Sequence, residues 1–164
     1  MPSNQPIGIF DSGFGGLTVA RAIIDLLPSE DIIYFGDTSR YPYGPQPLEE
    51  INSYSQQISD YLIAEHDVKM IVIACNTASA AAEDDLRNST EIPIVGVITP
   101  GAQAVVEVSS TKRIGVIGTV GTINSQAYDH AIKGISPGNI ELVSVACPGF
   151  VEFVERGEFE GEQV

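Results

Sequence analysis

The chain has 164 residues, of which 43% are hydrophobic, and a formal net charge of −14 at pH 7. This composition is typical of a folded globular protein, and the length suffices for one domain, or for one domain and part of another. The negative charge argues against a basic surface that binds nucleic acid. No apolar run reaches the length of a membrane span, and residues 1–6 lack the features of a signal peptide, so we expect no membrane partner and a cytoplasmic location.

The first predicted strand, Ile7–Phe10, ends at a glycine-rich loop, Asp11–Gly16. Apolar residues then recur at helical spacing as far as Leu27, and Pro28 ends this helix. A dinucleotide-binding loop would need its third glycine at position 18, where this chain has Thr18. The glycines more plausibly allow backbone N–H groups of the loop to approach a small anion. Asp11 is either a helix cap or a working carboxylate, and the sequence leaves both roles open.

The second predicted strand, Ile32–Phe35, leads into a loop rich in Tyr and Pro, Gly36–Pro45. Stiff aromatic loops are often functional, and a packed connection is the alternative. Apolar spacing then predicts a helix over Leu48–His66. His66 would interact with the negative end of the helix dipole.

The third predicted strand, Met70–Ala74, is followed by Cys75-Asn76-Thr77 and an alanine-rich helix. Ligands of open parallel α/β sheets bind at the carboxyl ends of the strands, which is where Cys75 falls. The positive end of the following helix predicts a lowered pKa for the Cys75 thiol and a higher reactivity than that of Cys147. A buried structural cysteine beside two capping residues is the alternative.

The rest of the chain continues to alternate strands with helices. Further strands are predicted at Ile94–Ile98, Arg113–Ile117 and Ile140–Val145, with a helix over Ala102–Val108. This alternation predicts an α/β fold with a doubly wound parallel sheet. We expect a first α/β domain at residues 1–99 and part of a second, similar domain at residues 100–164. Asp11, Tyr43 and Cys75 should meet at one edge of the first sheet.

Several motifs of the chain, in this order, resemble the glutamate racemases of the cofactor-independent aspartate/glutamate racemase superfamily. They lie at Ile9–Leu17, Asp37–Gly44, Ala74–Ser79, Gly96–Ala102, Gly118–Ser125 and Ala146–Glu155. The resemblance implies interconversion of L- and D-glutamate by two thiol bases without a cofactor, which supplies D-glutamate for peptidoglycan. Pyridoxal phosphate would need a lysine at a strand-end loop, and Lys69, Lys112 and Lys133 do not fall there.

The resemblance also assigns roles to residues. It implies that Cys75 is the first catalytic thiol and that Asp11 is a catalytic carboxylate beside it. Substrate-binding pairs match Asp11-Ser12, Tyr43-Gly44 and Asn76-Thr77. Pro42, Thr119, Thr122 and Glu155 are further candidates, no metal is expected, and a homodimer is the expected assembly.

One motif of the family is missing from this sequence. The second catalytic cysteine of the family lies in a Gly-Cys-Thr-His motif that the chain does not contain, and Cys147 matches a non-catalytic Cys-Pro loop instead. We therefore expect a truncated chain that does not racemise glutamate efficiently. The alternatives are a non-catalytic paralogue that binds an acidic amino acid or a partner, and a racemase that acts on aspartate.

Overall fold

A computed structural model describes residues 4–138, 140–158 and 160–161. Strands and helices alternate along these residues, which confirms the predicted α/β class. In chain order the elements are β1 (Ile7–Asp11), α1 (Leu17–Leu26), β2 (Ile32–Gly36), α2 (Leu48–His66), β3 (Met70–Ile73), α3 (Asn76–Ser89), β4 (Ile94–Gly96), α4 (Ile98–Val108), β5 (Arg113–Gly118), α5 (Val120–Asn124), α6 (Ala127–Ile135), β6 (Glu141–Ala146) and α7 (Phe150–Glu155).

The first four strands form one parallel sheet in the order β2-β1-β3-β4. We call this sheet with α1, α2 and α3 the four-stranded unit. Phe10, Ile71 and Ile73 pack on one face with α2 and α3, whereas Ile9 and Val72 pack on the other face with α1. A parallel sheet covered on both faces needs strands that are apolar throughout, which explains the uninterrupted apolar runs in the sequence.

The strand order determines where in the sheet a ligand site is expected. The chain leaves β1 for β2 on one side and then returns to β3 and β4 on the other side. The order therefore reverses between β1 and β3, and in open α/β sheets a crevice forms at the carboxyl ends of the strands at such a point. These two strands are joined there by the bond from the Ala74 backbone N–H to the Phe10 carbonyl oxygen, at 2.8 Å. Asp11 and Cys75 follow these two residues directly, at the same edge of the sheet.

Strands β5 and β6 form a second, two-stranded parallel sheet. We call this sheet with α4, α5, α6 and α7 the two-stranded unit. Ile114 of β5 packs on Ala102 of α4 and Ile132 of α6, and these side chains are buried. The opposite face of the sheet is exposed, with Ile117 at 68% and Val143 at 56% exposure.

Two predicted boundaries were wrong by more than one residue. The strand expected over residues 94–98 ends at Gly96, and the helix expected from Ala102 begins at Ile98. Pro100 lies in the first turn of that helix, where its missing N–H leaves no bond unmade, so it does not delay the helix. The expected domain boundary between residues 99 and 100 falls inside α4 and stays a prediction.

Side chains of α3 hold the backbone where β4 ends. A carboxylate oxygen of Glu83 accepts from the Gly96 N–H at 3.0 Å, and the Ser79 hydroxyl accepts from the Val97 N–H at 3.3 Å. A Cβ atom at Gly96 would lie 2.1 Å from Glu83 Oε2, so a larger residue there would displace the Glu83 carboxylate. In the described part of the chain, no helix combines the length and the apolar character needed to cross a membrane.

Candidate active site

A cavity of about 840 Å³ opens at the carboxyl ends of β1 and β3 and extends to the two-stranded unit. It brings together every residue that the sequence put forward for the site. These residues are Asp11, Ser12, Pro42, Tyr43, Gly44, Cys75, Asn76, Thr77, Thr119, Thr122 and Glu155. The expected convergence of Asp11, Tyr43 and Cys75 is observed, and the chemical roles of these residues stay predictions.

Cys75 lies at the start of α3 as its N-cap residue. Its backbone is extended, and its sulfur accepts a hydrogen bond from the Ala78 N–H at 3.4 Å. The thiol also lies 3.6 Å from the Ser12 hydroxyl, to which it donates. Only 6% of Cys75 is exposed. The expected position at a strand-to-helix turn is therefore correct, and the thiol lies at the inner end of the cavity.

The expected lowering of the Cys75 pKa is wrong. Burial raises the pKa of this thiol, and the negative charge of Asp11 raises it further. Hydrogen bonds from Ala78 and Ser12 act in the opposite direction but do not outweigh these two effects. The sequence correctly indicated the helix N-terminus, but the loss of hydration around a buried thiolate is the larger effect. The protonated thiol is therefore the favoured form.

Asp11 combines the two roles that the sequence left open. Its Oδ2 atom accepts from the Gly13 N–H at 3.2 Å and from the Gly16 N–H at 2.9 Å, so it fixes the glycine loop ahead of α1. A Cβ atom at Gly16 would lie 2.6 Å from the Asp11 Cβ atom, which explains the glycine. Asp11 is buried and lines the cavity, so its charge acts on Cys75 as well.

The Tyr43 hydroxyl is already engaged within the protein. It donates to Asp37 Oδ2 at 2.5 Å, and the Arg40 guanidinium contacts the same oxygen at 2.5 Å. Burial and Asp37 raise the pKa of Tyr43, so this phenol stays protonated. The buried carboxylate of Asp37 thus holds the loop over the cavity. Sequence reasoning missed this role of Asp37, although a carboxylate next to Arg40 and two tyrosines was a usable signal.

Hydrogen bonds join the two units across the cavity. The hydroxyls of Thr77, Thr119 and Thr122 lie within 3.0–3.2 Å of one another. The Tyr128 hydroxyl donates to Asn76 Oδ1 at 2.7 Å, and this contact of Tyr128 was not foreseen. The backbone of Gly121 donates to the Gly44 carbonyl oxygen at 3.1 Å. The carboxyl end of the first sheet is therefore fixed to the start of α5.

Glu155 approaches the site from α7. Burial and the nearby Glu155 carboxylate raise the pKa of the Tyr41 phenol to about 12. A Glu155 oxygen also lies 3.4 Å from the position that a Cβ atom of Gly13 would take. Glu155 thus lies against the glycine loop. Cys147 lines the same cavity from the end of β6.

The conditions for a metal site are not met in the described ranges, where no three His, Cys, Asp or Glu side chains are grouped closely enough to hold an ion. The polar end of the cavity instead offers a thiol, a carboxylate and several hydroxyl and amide groups. Such a set can exchange protons with a small amphoteric ligand and can hydrogen-bond to carboxylates.

Comparison with known proteins decides the family. The family model described as Asp/Glu/Hydantoin racemase matches residues 8–161. The chain belongs to this family. It is 53% identical to the glutamate racemase of Corynebacterium kroppenstedtii over 161 residues, which are 98% of this chain and 55% of that protein.

Solved structures agree with this assignment. The glutamate racemase of Francisella tularensis in complex with D-glutamate superposes with a TM-score of 0.88 at 44% identity, over 98% of this chain and 59% of that one. The RacE1 isoform of glutamate racemase from Bacillus anthracis gives a TM-score of 0.88 at 45% identity, over 92% and 56%. The chain thus spans a little over half the length of the relatives that it matches.

Proposed function

We propose that this chain forms the part of a glutamate racemase that binds glutamate and moves a proton on one face of its α-carbon. The observation that carries the proposal is the position of Cys75, a buried thiol at the topological switch point beside the Asp11 carboxylate. Identities of 46–53% to curated glutamate racemases support glutamate over aspartate as the substrate. The likeness to an aspartate racemase homologue, at 18% identity, concerns the fold alone.

The charges around Cys75 indicate how binding of a ligand prepares the thiol. The charge of Asp11 disfavours the Cys75 thiolate as long as that charge is unbalanced. An amino-acid ligand that places its ammonium group near Asp11 would balance the charge and lower the thiol pKa. The thiolate would then form mainly when a substrate is present. It could remove the α-proton from one enantiomer, and the protonated thiol could return a proton to the same face.

The carboxylates of the ligand need local donors because the protein is strongly acidic. Ser12 and Thr77 contribute hydroxyls to the cavity, and Gly44 contributes backbone. The Asn76 side chain accepts from Tyr128 through its oxygen, which leaves its NH₂ group as the donor for a ligand. Hydrogen bonds to a charged carboxylate are stronger than bonds between neutral groups, so a few such donors suffice to orient it.

Three further points belong to this proposal. The mechanism of the whole enzyme requires a second acid/base on the other face of the substrate, and the resemblance assigns that role to a cysteine outside the motifs of this chain. The expected use of the product is the supply of D-glutamate for peptidoglycan. A cytoplasmic location and a homodimer also remain predictions.

Deuterium exchange tests the proposal. The chain is incubated with each glutamate enantiomer in D₂O, with proton NMR to follow the loss of the α-proton and chiral chromatography to follow inversion. We expect slow exchange with retention of configuration. Cys75→Ala should reduce the exchange by about 10²-fold or more, the usual contribution of an acid/base group.

Cys147→Ala is the matched control, since it removes the other thiol of the same cavity. Exchange should survive this change. Exchange that persists in Cys75→Ala would contradict the proposal, and binding without exchange would favour a non-catalytic binding protein. Complete racemisation that Cys147→Ala abolishes would identify Cys147 as the second base.

A further inference from the structure

In the three-threonine cluster (Thr77, Thr119 and Thr122), the number of hydroxyl protons limits what the cluster can donate to a ligand. The three oxygens are 3.0, 3.2 and 3.0 Å apart, so each hydroxyl bonds both of the others. Each threonine has one hydroxyl proton and two lone pairs. A closed ring of three bonds therefore uses all three protons. In that state Thr77 has no proton left for the carboxylate of a ligand.

A second arrangement of the same protons solves the problem without moving any oxygen atom. If Thr119 and Thr122 both donate to Thr77 Oγ1, both lone pairs of that oxygen are used and its own proton becomes free. The change breaks one bond of the ring, between Thr119 and Thr122, and gains one bond from Thr77 to the ligand. The number of hydrogen bonds is conserved, and the new bond goes to a charged group, which makes it the stronger one.

We propose that Thr119 and Thr122 are positioning residues that make Thr77 a donor to the carboxylate of the bound amino acid. The inference rests on the proposed function, because it assumes that a carboxylate ligand occupies the cavity at Thr77. A hydroxyl that accepts two hydrogen bonds is a stronger donor in its third, since hydrogen bonds polarise one another. Thr77 and Thr122 are each 3% exposed, so water is in a poor position to replace either partner.

The arrangement links ligand binding to contact between the two units. Thr77 lies in α3 of the four-stranded unit, whereas Thr119 and Thr122 lie at the start of α5 in the two-stranded unit. A ligand carboxylate bound by Thr77 therefore favours the state in which both units are in contact. Full donor strength requires the α5 residues to be in place, so the four-stranded unit by itself would bind the ligand more weakly.

Thr122 is the better position for a test. Thr119 also caps α5, because its hydroxyl accepts from the Thr122 N–H at 3.2 Å, and its methyl group lies close to Gly44. Replacing Thr119 would therefore disturb the backbone as well. Thr122→Val keeps the shape of the side chain and removes the hydroxyl. Thr122→Ser keeps the hydroxyl and removes the methyl group.

The experiment measures binding of D- and L-glutamate to the full chain by isothermal titration calorimetry. We expect Thr122→Val to weaken binding by about threefold. Thr122→Ser should bind as the unsubstituted chain does. Ser144→Ala serves as the control, since it removes a bond to Asp129 within the two-stranded unit, at 2.8 Å, outside the cavity. Its affinity should not change.

The outcomes separate the two proposals. If the unsubstituted chain binds neither enantiomer, the proposed function and this inference are both overturned. If it binds glutamate and Thr122→Val binds it equally well, only the inference is overturned. A loss in Thr122→Ser that equals or exceeds the loss in Thr122→Val would show that packing and not the hydroxyl is responsible, and would also overturn it.

Discussion

The two sheets of this molecule follow the same strand-helix alternation but are buried to different extents. The residues of β1 are buried without exception, and helices cover both faces of the first sheet. In the second sheet, β6 alternates between exposed and half-buried residues, and only one face is covered. The difference shows that parallel pairing does not by itself produce a closed core, since apolar residues such as Ile117 and Val145 remain at the surface.

This difference matters for the site because the cavity lies between the two units. Cys75 and Asp11 come from the well-covered sheet, whereas Thr119, Thr122 and Cys147 come from the other one. One wall of the cavity is thus built on a sheet that helices cover on both faces, and the other wall belongs to a unit with a small core. We expect the unit with the small core to be the less stable of the two. Four substitution experiments test this comparison.

Removal of a core side chain should have the largest effect, and the effect should differ between the units. Ile71 and Ile132 are both 0% exposed. We expect Ile71→Ala to lower the free energy of unfolding by about 4 kcal/mol and Ile132→Ala by about 2 kcal/mol. The half-buried neighbours of Ile132 can relax into the space, whereas those of Ile71 cannot. Urea denaturation followed by circular dichroism measures both values, and equal losses would contradict the comparison.

The two thiols offer a chemical version of the same test. Because the thiolate is the nucleophile, the raised pKa of Cys75 predicts slow alkylation at neutral pH. The rate should continue to increase with pH beyond the range in which an ordinary thiol titrates. Asp11→Asn should lower this pKa and speed the reaction of Cys75, since it removes a negative charge. Ser12→Ala should raise the pKa and slow the reaction, since it removes a hydrogen bond to the thiolate.

Rates are followed by mass spectrometry against pH, with Cys147 in the same sample as the internal reference. Cys147 is half-buried and should react faster than Cys75 in the absence of a ligand. A Cys75 that reacts faster than Cys147 near neutral pH would restore the original expectation from the sequence. Shifts of the same sign in Asp11→Asn and Ser12→Ala would show that a change of structure, not of charge, causes them.

Two buried serines of α2 test how much a hydrogen bond of a buried hydroxyl contributes to the stability of the four-stranded unit. Ser55 and Ser59 are both buried, but only Ser55 donates, to the Ile51 carbonyl oxygen at 2.8 Å. The Ser59 hydroxyl has no partner among the described residues. We expect Ser59→Ala to stabilise the protein by about 1 kcal/mol and Ser55→Ala to destabilise it by about 1 kcal/mol. Equal effects of the two changes in a thermal unfolding assay would contradict this.

The sequence predicted local features well and features that depend on tertiary contacts poorly. Apolar runs located the strands, and the switch from Ala74 to Cys75-Asn76 located the helix cap. The pKa of Cys75 was predicted with the wrong sign because its burial depends on chain segments distant in sequence. The contact between Thr77 and Thr122 spans 45 residues, and no local pattern indicates it. The start of α4 was misplaced because Pro100 lies in the first turn of the helix, where proline is tolerated, and does not precede the helix.

The smallest effect is expected on the uncovered face of the second sheet. Two isosteric Val→Thr changes, one on this face and one in the first sheet, measure how burial alters the free energy of unfolding. Val143 is 56% exposed, so Val143→Thr leaves the new hydroxyl in water and should change the free energy of unfolding by less than about 0.5 kcal/mol. Val72 is 7% exposed in the first sheet, and Val72→Thr buries a hydroxyl at a cost of about 2 kcal/mol. Urea denaturation of both variants, alongside the unsubstituted chain, gives the two values. A cost for Val143→Thr close to that for Val72→Thr would mean that the face of β5 and β6 is covered in solution, for instance by a second copy of the chain. Dilution of the sample would then reduce the cost, since association depends on concentration.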